Sequence, residues 1–243
     1  MACAQMIQLI AAAWIALGPG AEYAAFDGIH VVRVDPARVE LRFGLATRDG
    51  GARTAKDWAD QQGFVAVINA GMFDPGGRST GYLRDGPFVL NKHWNLYRSA
   101  LAFRAGAAEM LDLDVPAEKT RTEKFTSVVQ NLRLIKSPGE DVWGHATPRR
   151  WSEAAVAQDD KGRLLLLFSR AAYTMSELNR RILALPLGVV RAMHVEGGPE
   201  ASLSVRGVLM MDLAGSHETG FQESDDHAPQ VAIPNVIGVR LRR

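Results

Sequence analysis

Two glycine-rich turns each follow an apolar run of strand length, and both carry carboxylates. The first turn, residues 69–77, reads NAGMFDPGG and follows the apolar run 64–68. The second, residues 196–203, reads EGGPEASL and follows the run 191–195. Active sites concentrate in loops at strand ends, and glycine allows the backbone to approach a ligand closely. Either turn alone is equally compatible with a purely structural turn, but the two together predict a site.

The chemistry that these residue types favour is cleavage of a glycosidic bond. That reaction uses two carboxyl groups: one stays protonated to assist the leaving oxygen, and the other stays ionised as base, nucleophile or charge stabiliser. We predict Glu196 as the first catalytic carboxylate, with Asp74 or Glu153 as its partner.

The predicted substrate-binding residues lie on the same turns and on segments near them. An asparagine offers both hydrogen-bond donors and acceptors, and the glycines offer backbone groups that can orient a substrate. A histidine at 145 is equally typical of an exposed loop. The full set is Asn69, Gly71, Phe73, Asp85, His145, Arg150, Gly197, Gly198, Glu200 and Ser202.

Composition excludes several other classes of protein. The 28 basic residues against 27 acidic ones give a net charge of +1, so no overall field recruits nucleic acid. Because Cys3 is the single cysteine, neither an internal disulfide nor a cysteine-rich zinc site is possible. No nucleotide-binding or metalloprotease motif occurs, so we predict no cofactor and no metal.

The N-terminal segment resembles an export leader. Residues 6–17 are apolar but too few to span a bilayer, which takes about 20 residues. Small residues follow as far as Ala25, which is typical of a cleavage region. We therefore predict a leader over residues 1–24, a single domain over 25–243 and a periplasmic or secreted location without a stable membrane span. The alternative is a buried N-terminal helix.

The pattern along the rest of the chain is mostly β. Runs at 29–34 and 39–45 flank Asp35-Pro36 and predict a hairpin. Capping signals predict helices over 54–62 and 175–185. Many strands with two clear helices favour an α+β fold with a mixed, largely antiparallel sheet in a single domain. The further predicted strands are 100–104, 128–135, 154–157, 163–168, 191–195, 207–211 and 236–241.

Five motifs in order along residues 28–241 resemble the phosphodiester glycosidase domain family. They are the N-A-G-M-F turn at 69–73, the G-x-x-x-D-G turn at 81–86, the G-x-L segment at 162–164, the helix at 175–185 and the acidic-Gly-Gly turn at 196–198. The resemblance implies a glycosidase that cleaves a sugar from a sugar phosphodiester or from an envelope or extracellular polysaccharide. The alternative is a non-catalytic periplasmic glycan-binding protein on the same fold.

The chain departs from the family pattern at two places. Where the family usually has Asp-Gly-Gly-Gly-Ser-Ser-Thr, this sequence has Glu-Gly-Gly-Pro-Glu-Ala-Ser at 196–202. The family also commonly has an arginine about nine residues before the glycine that Gly162 resembles, a position held here by Glu153. Arg149 and Arg150 lie just upstream. A glutamate in place of a phosphate-binding arginine argues against an anionic substrate.

Overall fold

Three antiparallel sheets build the molecule in the computed structural model, which describes residues 13–144, 148–216 and 229–242. The first sheet has eight strands in the order β1-β2-β3-β14-β13-β15-β11-β12. In chain order these are β1 Ile15–Gly18, β2 Ala21–Phe26, β3 Ile29–Val34, β11 Arg133–Lys136, β12 Glu140–Asp141, β13 Trp151–Asp159, β14 Leu164–Tyr173 and β15 Val189–Gly197.

The other two sheets have five strands each. The second has the order β7-β6-β10-β8-β9, made of β6 Leu83–Asp85, β7 Phe88–Asn91, β8 Ser99–Arg104, β9 Ala107–Asp112 and β10 Ser127–Asn131. The third has the order β17-β16-β5-β18-β4, made of β4 Val39–Leu45, β5 Ala66–Asn69, β16 Ser202–Val205, β17 Met211–Ala214 and β18 Asn235–Leu241.

Four short helices and two 3₁₀ turns are present in the described part of the chain. They are α1 Ala46–Asp49, α2 Ala55–Gln62, α3 Pro116–Arg121 and α4 Met175–Ala184, with 3₁₀ turns at Thr122–Lys124 and Gly198–Glu200. The predicted α+β class with largely antiparallel strands is confirmed. Every strand pair among the described residues is antiparallel.

The first sheet lies between two apolar layers. On one face Val32, Val156 and Leu166 belong to the main core, which also takes in Ile68 from the third sheet and Phe103 from the second. On the opposite face Ala155, Leu165 and Leu167 pack in a cluster with Leu178 and Ile182 of α4. Successive side chains of a strand point to opposite faces of the sheet, so the apolar residues of this one sheet contribute to two separate cores. This is expected for strands that are buried on both faces.

Both predicted helices form, and their capping signals are the cause. The Thr54 side chain accepts the Asp57 N–H at the start of α2, and Gly63 ends that helix at a φ of 64°. Thr174 and Glu177 make a reciprocal capping box at the start of α4. Each cap satisfies N–H groups that a helix N-terminus would otherwise leave unpaired.

The predicted hairpin of 29–34 with 39–45 is wrong. β3 pairs with β2 and β14, whereas β4 pairs with β18 in another sheet. The turn itself exists, since the Asp35 carboxylate accepts the Ala37 N–H at 2.9 Å. It carries the chain from the first sheet to the third, so that Val34 and Val39 enter the same core from two sides.

Two other predicted strands differ from the structure. The run 128–135 contains two strands, β10 and β11, because the Asn131 side chain accepts the Leu132 N–H where the chain passes between sheets. Of the run 207–211, only Met211 is in a strand, as the first residue of β17; residues 207–210 bend before it, with Gly207 at a φ of 110°. Positive φ at a glycine breaks strand continuity, and the apolar pattern alone does not reveal it.

Residues 15–24, which the sequence places in a leader, belong to the first sheet. β2 pairs with β3 along its whole length, and β1 pairs with β2. Leu17 and Tyr23 are 6% and 8% exposed and join the main core. The small residues that suggested a cleavage region lie in these two strands and in the turn between them. No helix in the described part of the chain is both long and apolar enough to cross a bilayer.

Candidate active site

The two turns singled out in the sequence are joined in the third sheet. β5 and β16 are neighbours, so Asn69 at the end of one strand lies beside Ser202 at the start of the other. The Asn69 Nδ2 donates to the Glu200 carbonyl at 2.9 Å, and its Oδ1 accepts the Ser202 N–H at 2.8 Å. Since Asn69 is 1% exposed and uses both ends of its amide, it fixes the turn. The Ser202 hydroxyl adds a bond to the Glu200 carbonyl at 3.1 Å.

Strands from all three sheets meet beside this turn. The Asn131 Nδ2, at the end of β10, donates to the Val195 carbonyl of β15 at 3.4 Å. A Cβ on Gly71, where φ is 154°, would lie 3.3 Å from the same Asn131 nitrogen and equally close to Val129. Gly71 therefore permits a close approach that a side chain would hinder. The junction of the three sheets places both predicted turns and the end of β15 together.

Glu196 lies at the end of β15, where a bulge changes which face its side chain occupies. In the pairing of β15 with β13, His194 lies opposite Ala155 and Glu196 lies opposite Ala154. Two residues of β13 that follow directly on each other thus pair with residues of β15 that are two apart. Val195 is the extra residue of the bulge. Ala154 and Val195 belong to the main core, whereas Ala155 belongs to the cluster under α4. Glu196 is thereby placed opposite a residue of the main-core face.

The environment of Glu196 favours its protonated form. Burial raises the pKa of this carboxyl to about 7; the nearby His194 charge and the Gly197 N–H oppose the shift, and the charges of Glu200 and Glu153 add to it. The Gly197 N–H donates to Glu196 Oε1 at 3.1 Å. A carboxyl with a pKa near neutrality can both give and accept a proton at physiological pH.

Glu153 lies on the opposite face and is fully engaged. It is 2% exposed; its Oε1 is 2.5 Å from His194 Nδ1, and its Oε2 accepts the Trp151 indole N–H at 2.9 Å. It shares a narrow apolar space with Leu178 of α4. Both of its oxygens are occupied, and the side chain faces away from the main-core side of the sheet.

The turn at Gly197–Glu200 is packed too closely for side chains at several backbone positions. A Cβ on Gly197 would lie 2.7 Å from Trp151 Cδ1, and one on Gly215 would lie 1.9 Å from the Gly198 carbonyl oxygen. Gly198 has a φ of 70°. The glycines are thus required for packing of this turn against β13 and the end of β17, as well as being available to a ligand.

Comparison with known protein families shows which family this chain belongs to. A family model that describes phosphodiester glycosidases matches residues 62–240, which include both turns and β15. The chain belongs to the phosphodiester glycosidase family. No curated protein matches this chain significantly in sequence.

Solved structures of distant sequence share its fold. The catalytic domain of zebrafish N-acetylglucosamine-1-phosphodiester alpha-N-acetylglucosaminidase, auto-inhibited by its pro-peptide, is 13% identical with a TM-score of 0.64 over 95% of this chain and 82% of that one. A hypothetical protein from Synechocystis is 15% identical with a TM-score of 0.66, over 95% and 61%. A protein from Burkholderia pseudomallei, provisionally described as exported, is 11% identical with a TM-score of 0.50, over 90% and 74%.

Asp74 and Phe73 make contacts that stabilise the first turn. The Asp74 carboxylate accepts the Arg78 N–H at 3.0 Å within its own turn. Phe73 pairs with Ser79 across that turn and packs against the cluster around Trp58. Among the described residues no hydrogen bond or ion pair connects Asp74 with the segment 196–202, so its predicted role as catalytic partner gains no support from its contacts.

Asp85 and Arg150 also have partners outside the junction. Asp85 accepts the Ser127 hydroxyl at 2.5 Å and forms an ion pair with Arg48 at 2.5 Å. Arg150 forms an ion pair with Glu177 of α4 at 2.6 Å, on the far side of the first sheet. His145 lies outside the described residues. Of the predicted set, the junction unites Asn69, Gly71, Glu196, Gly197, Gly198, Glu200 and Ser202.

Three residues of the junction lie outside the predicted set of catalytic and substrate-binding residues: Trp151, Asn131 and His194. In a regular strand the side chains of His194 and Glu196, two residues apart, would lie on the same face of the sheet. The bulge at Val195 places them on opposite faces. Asn131 and Trp151 come from strands remote in sequence, and no local pattern marks them. Within residues 13–144, 148–216 and 229–242 no group of three or more acidic, histidine or cysteine side chains is arranged to hold a metal.

Proposed function

We propose that this phosphodiester glycosidase hydrolyses the bond between a sugar and a phosphate, with Glu196 as proton donor. The observation that carries the proposal is the largely buried Glu196 carboxyl at the junction of three sheets, whose pKa burial raises to about 7. An ordinary exposed glutamate would be ionised at neutral pH and could not act as an acid there.

The chemistry fits a phosphate leaving group. Water adds to the anomeric carbon as the bond from that carbon to the phosphate oxygen breaks, and the proton of Glu196 passes to the leaving oxygen. The proton that the water loses restores Glu196. A phosphate monoester has its second pKa at about 6, close to that of Glu196, and proton transfer is efficient when donor and acceptor are matched in this way.

Glu200 is the proposed source of the ionised carboxylate. It follows Glu196 on the same turn, and its charge is one cause of the raised pKa of Glu196. Asn69 and Ser202 hold its backbone in place. A negative charge beside the anomeric carbon stabilises the oxocarbenium-like transition state of glycoside cleavage. Glu200 replaces Asp74 and Glu153 in this role.

Replacing Glu200 with glutamine should move the alkaline limb of the pH–activity profile to lower pH. The Glu200 charge raises the pKa of Glu196, so its removal lets Glu196 lose its proton at a lower pH. The acid form, and with it the activity, then declines earlier as pH rises. We expect a shift of roughly half a unit to one unit, measured as kcat/KM from pH 5 to 9. An unchanged limb in a folded variant would remove Glu200 from the site.

Export is part of the proposal, with a processing position different from the one that the sequence predicts. The apolar run at 6–17 supports an export signal. Because residues from Ile15 onward form strands of the first sheet, we place any cleavage before that residue. N-terminal sequencing of the protein from the native host tests this: a mature chain that starts within 15–24 would contradict it.

Multiple-turnover assays with two probes test the reaction. N-acetylglucosamine-1-phosphate methyl diester supplies a sugar phosphodiester, and p-nitrophenyl N-acetyl-α-glucosaminide supplies the same sugar on a neutral leaving group. We expect release of free sugar from the diester over many turnovers. If only the neutral glycoside were cleaved, the leaving group in the natural substrate would not be a phosphate. Saturable binding of both probes without product would favour a glycan-binding protein instead.

A further inference from the structure

A buried ion pair lies directly beneath the proposed site and has no part in the proposed reaction. His194 and Glu153 are 4% and 2% exposed, and their side chains meet at 2.5 Å. Glu153 lies between the first sheet and α4, where it lines a small apolar space with Leu178 and Ile182. Burying two charged groups is costly unless each is well bonded, so a function beyond packing is worth seeking.

The pair is connected to Glu196 through Trp151. Glu153 Oε2 accepts the indole N–H at 2.9 Å, which fixes the orientation of that ring. The ring in turn lies against Gly197, where a Cβ would approach Trp151 Cδ1 to 2.7 Å. The Gly197 N–H donates to the Glu196 carboxyl at 3.1 Å. A continuous set of contacts therefore runs from the ion pair to the proton donor.

We propose that His194, Glu153 and Trp151 are positioning residues that hold Gly197 in place and keep a positive charge beneath Glu196. The proposal rests on the role of Glu196 proposed above. Trp151 limits the movement of the Gly197 backbone, and Glu153 holds both the ring and the imidazolium. Glu153, which the sequence suggested as a reacting carboxylate, thus acts through its neighbours.

The charge on His194 depends on Glu153. Burial alone lowers the pKa of His194, but the Glu153 carboxylate and then Glu196 raise it, and the net direction is upward. Without Glu153 the buried imidazole would lose its proton more easily, because only the weaker effect of Glu196 would then oppose desolvation. Glu196 would then lose the charge that most strongly opposes its own raised pKa.

Within residues 13–144, 148–216 and 229–242, three charged groups act on Glu196. They are His194 on its own strand, Glu153 on β13 and Glu200 on the following turn. Strands β5 and β10 contribute the uncharged amides of Asn69 and Asn131 at the junction. On β14, Arg170 donates to the Ala214 carbonyl at 3.2 Å.

The decisive experiment titrates Glu196 by ¹³C NMR in protein labelled at the glutamate side-chain carboxyls. The Glu196 signal is assigned by its loss in Glu196→Gln. In His194→Gln we expect the midpoint to move upward by roughly one pH unit. In Glu153→Gln it should move upward by less, because that variant also removes the Glu153 charge, which helps to raise the pKa of Glu196. Asp159→Asn is the matched control, because Asp159 is a buried, ion-paired carboxylate at the other end of β13. It should lower stability and leave the midpoint unchanged.

Trp151→Phe tests the second part of the proposal, since phenylalanine keeps a ring against Gly197 and removes the N–H. Hydrogen exchange of the Gly197 amide should become roughly tenfold faster, while the Glu196 midpoint moves little. An unchanged midpoint in both charge variants, or unchanged exchange in Trp151→Phe, would overturn the positioning role. Neither measurement needs turnover, so failure of the proposed reaction would be seen separately, in the probe assays.

Discussion

Glu196→Gln should lower turnover of the sugar phosphodiester by a factor of a hundred or more at pH 6. Glutamine keeps the size of the side chain and can accept the Gly197 N–H as the carboxyl does. It has no proton that it can transfer, and loss of a positioned acid costs about 10² to 10⁴ in rate. Steady-state kinetics with the methyl diester gives the measurement, with Asp159→Asn as a control distant from the site.

Stability measured on the same samples separates catalysis from structure. The folded-state pKa of Glu196 is raised to about 7 from an ordinary value of 4.5, so folding favours the protonated form. That stabilising contribution is complete below about pH 4.5 and is lost as pH rises through 7. Glu196→Gln should consequently be more stable than the wild type at pH 8. A destabilised variant with full activity per folded molecule would contradict the catalytic role.

A chain that begins at Ala25 should be severely destabilised. It lacks β1 and most of β2, so β3 loses its partner strand on that side. It also lacks the buried Leu17 and Tyr23, each worth about 1.5–3 kcal/mol when fully buried. The free energy of unfolding of a protein is typically about 5–15 kcal/mol, so this loss is a large fraction of it. The melting temperature should drop by roughly 10 °C or more.

A chain that begins at residue 13 is the matched control for this truncation. It keeps Trp14, whose ring makes an edge contact with Phe26 at 5.7 Å and lies under the Arg33 guanidinium at 3.6 Å. Thermal unfolding should show a melting temperature close to that of the full chain. If the chain from Ala25 were equally stable, the first two strands would be dispensable and a leader boundary at residue 24 would be restored.

The sequence predicted those parts of the fold that depend on local signals. Thr54 and Thr174 cap helices because their side chains bond to N–H groups three residues away, and such patterns are visible in one window. The Asp35 turn was also visible, but its partner strands were not. Whether two strands pair is decided by where their apolar faces are buried, which depends on the whole chain.

The site was predicted in outline for a similar reason. Asn69 and Glu196 could be selected because glycine-rich turns after apolar strands are a general site pattern. The assignment of Glu153 as a partner followed from counting along the chain, and counting does not show the face of a strand. The bulge at Val195 and the contact of Trp151 with Gly197 come from pairing between remote strands.

The most direct test of the account is the pH dependence of kcat/KM for the wild type beside Glu196→Gln, with the methyl diester as substrate. For the wild type we expect activity to fall along an alkaline limb with a midpoint near pH 7, because Glu196 must be protonated to act. In Glu196→Gln the small residual activity should have no such limb. A limb that persists unchanged in the variant would show that another group donates the proton.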